Sequence, residues 1–369
     1  MLEFFSENII VIAIGGLVTF ALGWLITLTQ SWHGRWTHDE ISGIQKFHEK
    51  PTPRIGGLAI LLGCLVIVSL LDKSDLTDIF VPLLIGGLVP FSFGFREDVT
   101  KRVSVSSRLM ATMTGAIVVI SLTGWHLNQL DVPGLDHWMS WLPLAYIFTV
   151  IAVAGVTNAI NILDGFNGLA SGTSIVSLIF LALLSHETQD PYLRDVSLVM
   201  VSVLIGFIVL NYPWGKIFLG DAGAYFIGFI IAWIALLLPM RNPEVSPWAS
   251  LLICIYPVIE VLYSMARRFI NRVSSGQPDN LHLHSLIKTR LIKRYVGHFP
   301  SWTRNSLVAP MVWFATCIAG FFALLFETNT QALMYCCAVF LIIYHLSYRF
   351  LLRLPEVILL GESGDKSGN

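Results

Sequence analysis

Eleven apolar stretches alternate with shorter polar segments along these 369 residues. Each stretch is long enough, or nearly so, to cross a hydrocarbon layer of about 30 Å, which takes about 20 helical residues. Because no soluble domain interrupts the alternation, the pattern predicts an all-α, polytopic membrane protein with about eleven transmembrane helices in one domain, residues 1–360. The predicted spans are 8–29, 55–71, 78–95, 109–124, 141–157, 168–185, 196–213, 222–240, 247–266, 305–326 and 331–348.

Lys and Arg are distributed unevenly over the segments between these spans. The odd-numbered segments and the C-terminal tail hold 20 of the 23 Lys and Arg residues, and the even-numbered segments hold three. Because positive charge is retained on the cytoplasmic side of a membrane, this distribution predicts an outside N-terminus and a cytoplasmic C-terminus. The polar, Gly- and Ser-rich tail 361–369 is predicted to be disordered in the cytoplasm.

The composition supports a membrane protein and excludes other classes. Hydrophobic residues make up 55% of the chain and charged residues only 13%, which excludes an ordinary soluble domain. A net charge of −1 gives no indication of nucleic-acid binding. The five cysteines all fall inside predicted spans, where we interpret them as small apolar packing residues.

The first polar motif follows the fifth predicted span and reads Asn158-Ala-Ile-Asn161-Ile-Leu-Asp164-Gly-Phe-Asn167-Gly168. Its amides and carboxylate recur at every third position, so on a helix they would share one face. Gly165 and Gly168 allow the backbone to approach a ligand closely. A polar loop with helix caps is the alternative, but polar side chains at this depth are costly and usually functional.

The second motif, Phe218-Leu-Gly220-Asp221-Ala-Gly223, stands at the start of the eighth predicted span. An N-cap role alone would explain an Asp at this position. A helix N-terminus also favours an anionic ligand, and a carboxylate with open space beside it suits a Mg²⁺ ion that takes phosphate oxygens.

Two further motifs are less specific. Glu97 and Asp98 stand beside several cations in a segment that ends at Arg108; they could hold a metal or accept a proton, and a solvated charged turn explains them equally well. His282 and His284 have no third soft ligand nearby for zinc, so we favour phosphate contact in a segment this basic.

Glu260 lies inside the ninth predicted span. An intramembrane carboxylate is a functional candidate by default, although Glu260 could instead pair with a nearby cation such as Arg267.

The predicted topology gathers all these motifs at the cytoplasmic face. Together they offer carboxylates for a metal, amides for recognition and cations for phosphate, with lipid alongside. That combination favours phosphoryl transfer between a soluble anionic donor and a membrane acceptor.

These motifs resemble those of the polyprenyl-phosphate N-acetylhexosamine-1-phosphate transferase superfamily, glycosyltransferase family 4. The matching segments are 53–57, 94–98, 158–168, 218–223 and 279–285. Their order, spacing and sidedness make the resemblance specific, and the family's eleven-span layout agrees with the pattern above.

The resemblance implies a reaction in which a polyprenyl phosphate attacks the sugar-linked phosphorus of a UDP-N-acetylhexosamine. The products would be a polyprenyl-diphosphate sugar and UMP, and the reaction would initiate a cell-surface polysaccharide such as O-antigen. The resemblance also implies a bacterial inner (cytoplasmic) membrane protein with its active site facing the cytoplasm, and it is compatible with a homodimer.

The resemblance also implies roles for individual residues. Mg²⁺, with Mn²⁺ as the alternative, would be held by Asp221 and Asn161, and Asp98 would be a base or would orient the lipid phosphate. The implied catalytic residues are Glu97, Asp98, Asp164 and Asp221. The implied substrate-binding residues are Asn158, Asn167, Gly168, Arg108, His282 and His284.

Three residues depart from the family pattern. Glu97 replaces the usual Asp, Asn167 stands where many bacterial members have Asp, and Ser285 replaces a third histidine. The sugar therefore stays open between N-acetylglucosamine, N-acetylgalactosamine and a deoxy-N-acetyl sugar. The alternatives are a phospho-N-acetylmuramoyl-pentapeptide transferase and a sugar-nucleotide transporter; the second is disfavoured because no internal repeat is visible.

Overall fold

The computed structural model describes residues 8–39, 51–71, 75–272, 279 and 281–357. Its helices are α1 (Ile9–Leu28), α2 (Gln30–Thr37), α3 (Gly56–Leu70), α4 (Asp75–Thr100), α5 (Val105–Thr123), α6 (Leu135–Met139), α7 (Leu142–Leu163), α8 (Leu169–Glu187), α9 (Pro191–Asn211), α10 (Gly220–Arg241), α11 (Pro247–Ile253), α12 (Ile255–Ile270), α13 (Leu283–Leu286), a π-helix (Ile287–Ile292), α14 (Lys293–Val296), α15 (Ser301–Ser306), α16 (Val308–Leu325) and α17 (Thr330–Arg353). The tail 361–369 lies outside the described residues, so its predicted disorder stays a prediction.

The structure confirms an all-α, polytopic membrane architecture. Within the described ranges, nine helices are long and apolar enough to cross a membrane. The pair α11 and α12, bent by 80° at Cys254, forms a tenth candidate, and α3 is apolar but only 15 residues long. The count of eleven and the sidedness stay predictions.

Several helices continue beyond their predicted spans and carry polar motifs with them. α4 extends through Asp98 to Thr100, α5 already includes Arg108, and α7 includes Asn161. Hydropathy marks the boundary of the apolar layer, whereas a helix ends where its backbone hydrogen bonds end. Residues that the sequence pattern placed between the spans are therefore held on helix ends.

The ninth predicted span is broken rather than continuous. α11 ends at Ile253 and α12 begins at Ile255, with Cys254 between them and an angle of 80° between the two helices. Hydropathy reports the length of an apolar run and not its direction, so the sequence pattern could not reveal this bend.

Helix α10 is the centre of the molecule. Its span is 89% buried, compared with 22% for α1 and α17. Glycines let α3 and α4 approach its N-terminal end: a Cβ added at Gly57 would lie 2.2 Å from the backbone nitrogen of Gly223, and one at Gly94 would lie 2.6 Å from that of Ala222. This close crossing brings Asp98 to the start of α10.

One small sheet departs from the purely helical expectation. Strand β1 (His38–Asp39) pairs antiparallel with β2 (Thr52–Pro53). The backbone N–H of Phe218 donates to the carbonyl of Pro53 at 2.8 Å, so the sheet is tied to the segment before α10. Strands of two residues are too short to show the alternation by which a strand is predicted from sequence. The sheet brings Asp39 beside Arg54.

Candidate active site

A polar cleft of about 360 Å³ opens where the ends of α7 and α10 meet the segment before α13. Its lining residues are Asp39, Arg54, Arg108, Asn161, Ile162, Asp164, Gly165, Phe166, Asn167, Asn211, Phe218, Gly220, Asp221, Asp279, His282, His284, Ser285 and Asn305. Seven predicted site residues are among them: Arg108, Asn161, Asp164, Asn167, Asp221, His282 and His284. The other four, Glu97, Asp98, Asn158 and Gly168, lie outside this lining.

Asp221 lies at the meeting point of three helices. It stands in the first turn of α10, after Gly220 with a φ of +75°. Its Oδ1 is 3.3 Å from Nη2 of Arg54 and 3.3 Å from Nδ2 of Asn161, and Arg108 forms an ion pair with Oδ2. Two guanidinium groups and one amide therefore hold this carboxylate facing the cleft.

Asp98 binds the start of α10, where Asp221 lies, through two hydrogen bonds. Its fully buried carboxylate accepts the backbone N–H groups of Asp221 at 2.8 Å and Ala222 at 2.9 Å. These groups at a helix N-terminus have no partner within the helix, and a carboxylate there also interacts favourably with the helix dipole. Because both oxygens are engaged by α10, the geometry favours the orienting role over the base role for Asp98.

Arg54 is a site residue that sequence reasoning missed. Its guanidinium lies 3.2 Å from Asp39, 3.0 Å from Asp98 and 3.3 Å from Asp221. Burial opposes the charge of Arg54, but the surrounding carboxylates outweigh burial and raise its pKa. The available signal was the turn Pro-Thr-Pro-Arg before paired glycines, which has no specific meaning until the carboxylates are known to converge on it.

Glu97 and Asn158 act on the shape of the site. Glu97 accepts the backbone N–H of Val103 at 2.6 Å and so closes the turn between α4 and α5. Asn158 accepts the hydroxyl of Tyr225 at 3.3 Å. The Tyr225 ring centre lies 5.8 Å from the guanidinium carbon of Arg108. Asn158 therefore contacts the cleft residue Arg108 only indirectly, through Tyr225.

Asp164 follows the last residue of α7 and lines the cleft. Burial raises the pKa of Asp164 to about 7, although the nearby Arg54 and a backbone hydrogen bond from Gly220 both act to lower it. This carboxyl group therefore changes its charge near neutral pH.

Asn167 and Gly168 shape the wall of the cleft behind α8. The Asn167 amide nitrogen donates to the carbonyl of Pro213 at 2.8 Å. Gly168 has a φ of +73°; its N–H donates to Asn211 at 2.7 Å and its carbonyl accepts from the indole of Trp313 at 3.0 Å. Gly168 thus has a structural function, since its positive φ turns the chain into α8.

The two histidines converge on Glu260. Nδ1 of His282 lies 3.1 Å from Oε2 of Glu260, and Nδ1 of His284 lies 3.1 Å from Oε1. The imidazole rings stack with centres 5.2 Å apart. The sequence pattern left open whether Glu260 pairs with a cation such as Arg267; in the structure it pairs with the histidines, and Arg267 pairs with Asp279.

The donor set of the cleft suits a hard cation better than zinc. In the described ranges, no group of three His, Cys, Asp or Glu residues could hold a metal ion. Mg²⁺ needs only one or two protein carboxylates because it retains water and takes phosphate oxygens from its substrate. Asp221 and the amide oxygen of Asn161 could hold such an ion if the Asn161 amide turned, because its nitrogen is the atom that faces Asp221 here. Both histidines direct Nδ1 to Glu260.

Comparisons with known proteins find one matching family and several similar bacterial proteins. The glycosyl transferase family 4 sequence model matches residues 80–239. A Bacillus subtilis protein named a probable undecaprenyl-phosphate N-acetylglucosaminyl 1-phosphate transferase is 30% identical over 242 residues, 65% of this chain and 66% of that protein.

Two similar relatives are named undecaprenyl-phosphate alpha-N-acetylglucosaminyl 1-phosphate transferases. The Yersinia pestis protein is 29% identical over 249 residues and the Escherichia coli K12 protein is 27% identical over 258 residues. Each alignment covers 66% of this chain and 67% of the relative. The chain thus spans about two thirds of the length of these relatives, and slightly less than two thirds of the Bacillus protein.

Proposed function

We propose that the chain is a member of glycosyl transferase family 4 and that it transfers an N-acetylhexosamine 1-phosphate from a UDP-sugar to a polyprenyl phosphate in the membrane. An oxygen of the lipid phosphate forms a bond to the sugar-linked phosphorus. The bond from that phosphorus to the bridging oxygen breaks, and UMP leaves. The observation that carries this proposal is the carboxylate of Asp221, held between two guanidinium groups and an amide at a polar cleft.

The cations of the cleft suit the diphosphate of the donor. Arg54 and Arg108 line the cleft, and both contact Asp221. Guanidinium groups bind phosphate oxygens in a bidentate manner. A bound diphosphate, which is negatively charged like Asp221, would therefore give both arginines further partners. We propose that Asp221 and Asn161 hold Mg²⁺, or Mn²⁺ in its place, which would neutralise charge on the diphosphate as the bridging bond breaks.

An apolar cavity of about 490 Å³ suits the polyprenyl chain of the acceptor. It is bordered by α7, α10 and the bent pair α11 and α12, and its lining is almost wholly apolar. Val156 of α7 lines this cavity, and Asn161 of the same helix lines the polar cleft. The two residues are five positions apart, a rise of about 7.5 Å along the helix axis. We propose that one lipid places its apolar chain in the cavity and its phosphate in the cleft.

The acceptor needs little help to become a nucleophile. A phosphate monoester has a second pKa of about 6, so a lipid phosphate is largely a dianion at neutral pH. Most of the rate enhancement should then come from alignment and from neutralising charge. This expectation agrees with a positioning role for Asp98, whose two oxygens are both engaged by backbone N–H groups.

The names of the relatives favour N-acetylglucosamine as the sugar. With that donor the reaction would initiate a cell-surface polysaccharide on a polyprenyl carrier. The bacterial relatives support a bacterial inner membrane protein, and the distribution of Lys and Arg supports a cleft that faces the cytoplasm.

The decisive experiment supplies purified protein with polyprenyl phosphate, Mg²⁺ and a panel of UDP-sugars. The proposal expects UMP release and a lipid-linked product that both require the acceptor. UDP-sugar uptake into sealed vesicles without lipid product would instead establish a transporter. A preference for UDP-N-acetylmuramoyl-pentapeptide would move the chain to the muramoyl-pentapeptide branch.

Cysteine accessibility labelling in intact cells tests the proposed sidedness separately. A cysteine at position 280 should be protected from an impermeant reagent, and one at position 130 should react. The reverse pattern would overturn the cytoplasmic assignment of the cleft.

A further inference from the structure

Glu260 receives an unusual number of hydrogen bonds for a carboxylate inside a membrane helix. It is fully buried in α12. Tyr256 donates its hydroxyl to Oε1 at 2.9 Å, and Tyr344 donates its hydroxyl to Oε2 at 3.0 Å. His282 and His284 each approach it through Nδ1 at 3.1 Å. The backbone N–H groups of Leu283 and His284 also approach Oε2 and Oε1, both at 3.4 Å, so each oxygen faces one hydroxyl, one imidazole and one backbone N–H.

This arrangement fixes which nitrogen of each imidazole carries a proton. An ionised carboxylate only accepts hydrogen bonds, so both histidines must present Nδ1–H to Glu260. The remaining nitrogen of each ring, Nε2, is then directed away from Glu260. Orientation by a carboxylate at one ring nitrogen is a common way to prepare the other nitrogen for a ligand.

The two histidines differ in what their Nε2 atoms meet. Nε2 of His282 lies 3.5 Å from Oδ2 of Asp279, and that carboxylate is also held by Arg267 and Ser264. For His284, no hydrogen bond within the described residues engages Nε2. His284 also lines the cleft, with the Phe166 ring centre 5.7 Å from its own.

We propose that Glu260 is a positioning residue that fixes His284 with Nε2 toward the cleft, so that His284, rather than His282, hydrogen-bonds the sugar-diphosphate donor. His282 completes the stack and links Glu260 to Asp279. This inference rests on the proposed function, because it takes the donor to be a sugar nucleotide. It assigns different roles to His282 and His284, which the sequence pattern does not distinguish.

A pair of amide substitutions tests which nitrogen of His284 matters. Glutamine carries its amide to the distance from Cβ that Nε2 occupies, and asparagine carries its amide to the distance of Nδ1. We expect His284→Gln to retain turnover within about tenfold of wild type and His284→Asn to lose about 100-fold. Turnover of His284→Asn equal to or above that of His284→Gln would overturn the proposal.

The same pair at His282 is the matched comparison. Its Nε2 faces Asp279 instead of the donor, so His282→Asn and His282→Gln should differ by less than the His284 variants do. A larger difference at His282 than at His284 would show that His282 contacts the donor, and it would overturn the proposal.

Glu260→Gln tests the positioning role. A carboxamide donates as well as accepts, so one imidazole must give up Nδ1–H and change its tautomer. If Glu260 acts through His284, Glu260→Gln combined with His284→Asn should be no worse than His284→Asn alone. Fully additive losses would show that Glu260 acts elsewhere.

Asp190→Asn is the control for loss of a buried carboxylate. Asp190 caps α9, pairs with Arg241 and is 6% exposed, outside the cleft lining. It should lower thermal stability without changing turnover per folded molecule. If Glu260→Gln fails to fold, the His284 pair still decides the proposal, because those variants leave Glu260 in place.

Failure of the inference can be separated from failure of the proposed function. Wild-type protein that releases no UMP with any UDP-sugar refutes the proposed function. Titration of UDP-N-acetylglucosamine binding then still tests the order of the His284 variants. Active wild-type protein with the variants in the wrong order refutes only the inference.

Discussion

The polar cleft and the apolar cavity share two bordering helices, α7 and α10, but differ in the residues that line them. The cleft, of about 360 Å³, is lined mainly by carboxylates, amides, guanidinium groups and imidazoles. The cavity, of about 490 Å³, is lined almost wholly by aliphatic and aromatic side chains. α7 and α10 contribute to both: Asn161 and Asp221 line the cleft, and Val156 and Ala232 line the cavity. One pair of helices can therefore hold a substrate that has a charged head and an apolar tail.

The two regions also differ in what maintains them. The cleft depends on compensated charges, since Arg54 alone contacts three carboxylates. Removing one partner leaves an uncompensated charge in a part-buried site, which is costly. The cavity depends on small residues such as Gly155, where an added Cβ meets nothing within 4 Å. Substitutions in the cleft should therefore change turnover, and substitutions in the cavity should change acceptor affinity.

The largest effect is expected for Asp221→Asn. The amide keeps the shape of the side chain but removes the charge that Arg54 and Arg108 compensate and that Mg²⁺ would require. Turnover should fall by about 10³-fold or more and the Mg²⁺ activation curve should weaken, while the protein is still extracted folded. Turnover close to wild type would refute the metal assignment.

Asp98→Asn should have the next largest effect. Its amide can accept only one of the N–H groups of Asp221 and Ala222, so the start of α10 shifts. Loss of a positioned catalytic group costs about 10²–10⁴ in rate, and we expect the lower end because Asp98 acts through Asp221.

The pH profile separates the two roles of Asp98. A positioning residue predicts a defect of equal size at all pH values. If Asp98 were the base, the defect would shrink at higher pH, where the lipid phosphate is already a dianion. Nucleotide binding, measured by titration, should stay close to normal in either case.

Hydropathy and short motifs predicted the class of fold and the parts of the cleft that carry ordinary catalytic residue types. Asn161 was found because a polar side chain at the edge of an apolar span is costly and therefore informative. Asp221 was found because it stands at a helix start between glycines, and the family resemblance implied that the two hold a metal together. Arg54 was missed because its partners are distant in sequence: Asp221 is 167 positions away. A single sequence contains no signal for such a pairing.

The same limit explains the other differences between sequence and structure. Glu260 was recognised as a candidate, but its pairing with histidines depends on the 80° bend before α12 and on the return of the chain at α13. Asn158 and Gly168 carry the right residue types, yet they support the cleft from outside its lining. Periodicity assigns a residue to a helix face but cannot say which neighbour covers that face.

Gly155→Leu addresses the cavity and should have a smaller effect. The added side chain fills space next to Val156 without touching the cleft. We expect KM for polyprenyl phosphate to rise about tenfold, because the leucine side chain excludes part of the polyprenyl chain from the cavity and removes its van der Waals contacts there. KM for the UDP-sugar should stay unchanged.

Ile151→Phe is the matched control for Gly155→Leu, because Ile151 lies on the same helix, is 56% exposed and lies outside the cavity lining. An equal rise in acceptor KM for Ile151→Phe would remove the cavity from the acceptor site.

The smallest effect is expected for Tyr225→Phe, which tests how the cleft is supported from outside. The substitution removes the hydroxyl that donates to Asn158 at 3.3 Å but keeps the ring 5.8 Å from the guanidinium carbon of Arg108. Loss of one hydrogen bond of about 0.5–1 kcal/mol should lower kcat about two- to fivefold.

Tyr225→Leu also removes the ring under Arg108 and should cost about tenfold, since a partly desolvated cation–π contact contributes about 1–2 kcal/mol. Tyr335→Phe, at an exposed site on α17, should leave kcat unchanged. If Tyr225→Phe were as damaging as Tyr225→Leu, the hydroxyl and Asn158, and not the ring, would position Arg108, and Asn158→Ala should then reproduce the full defect.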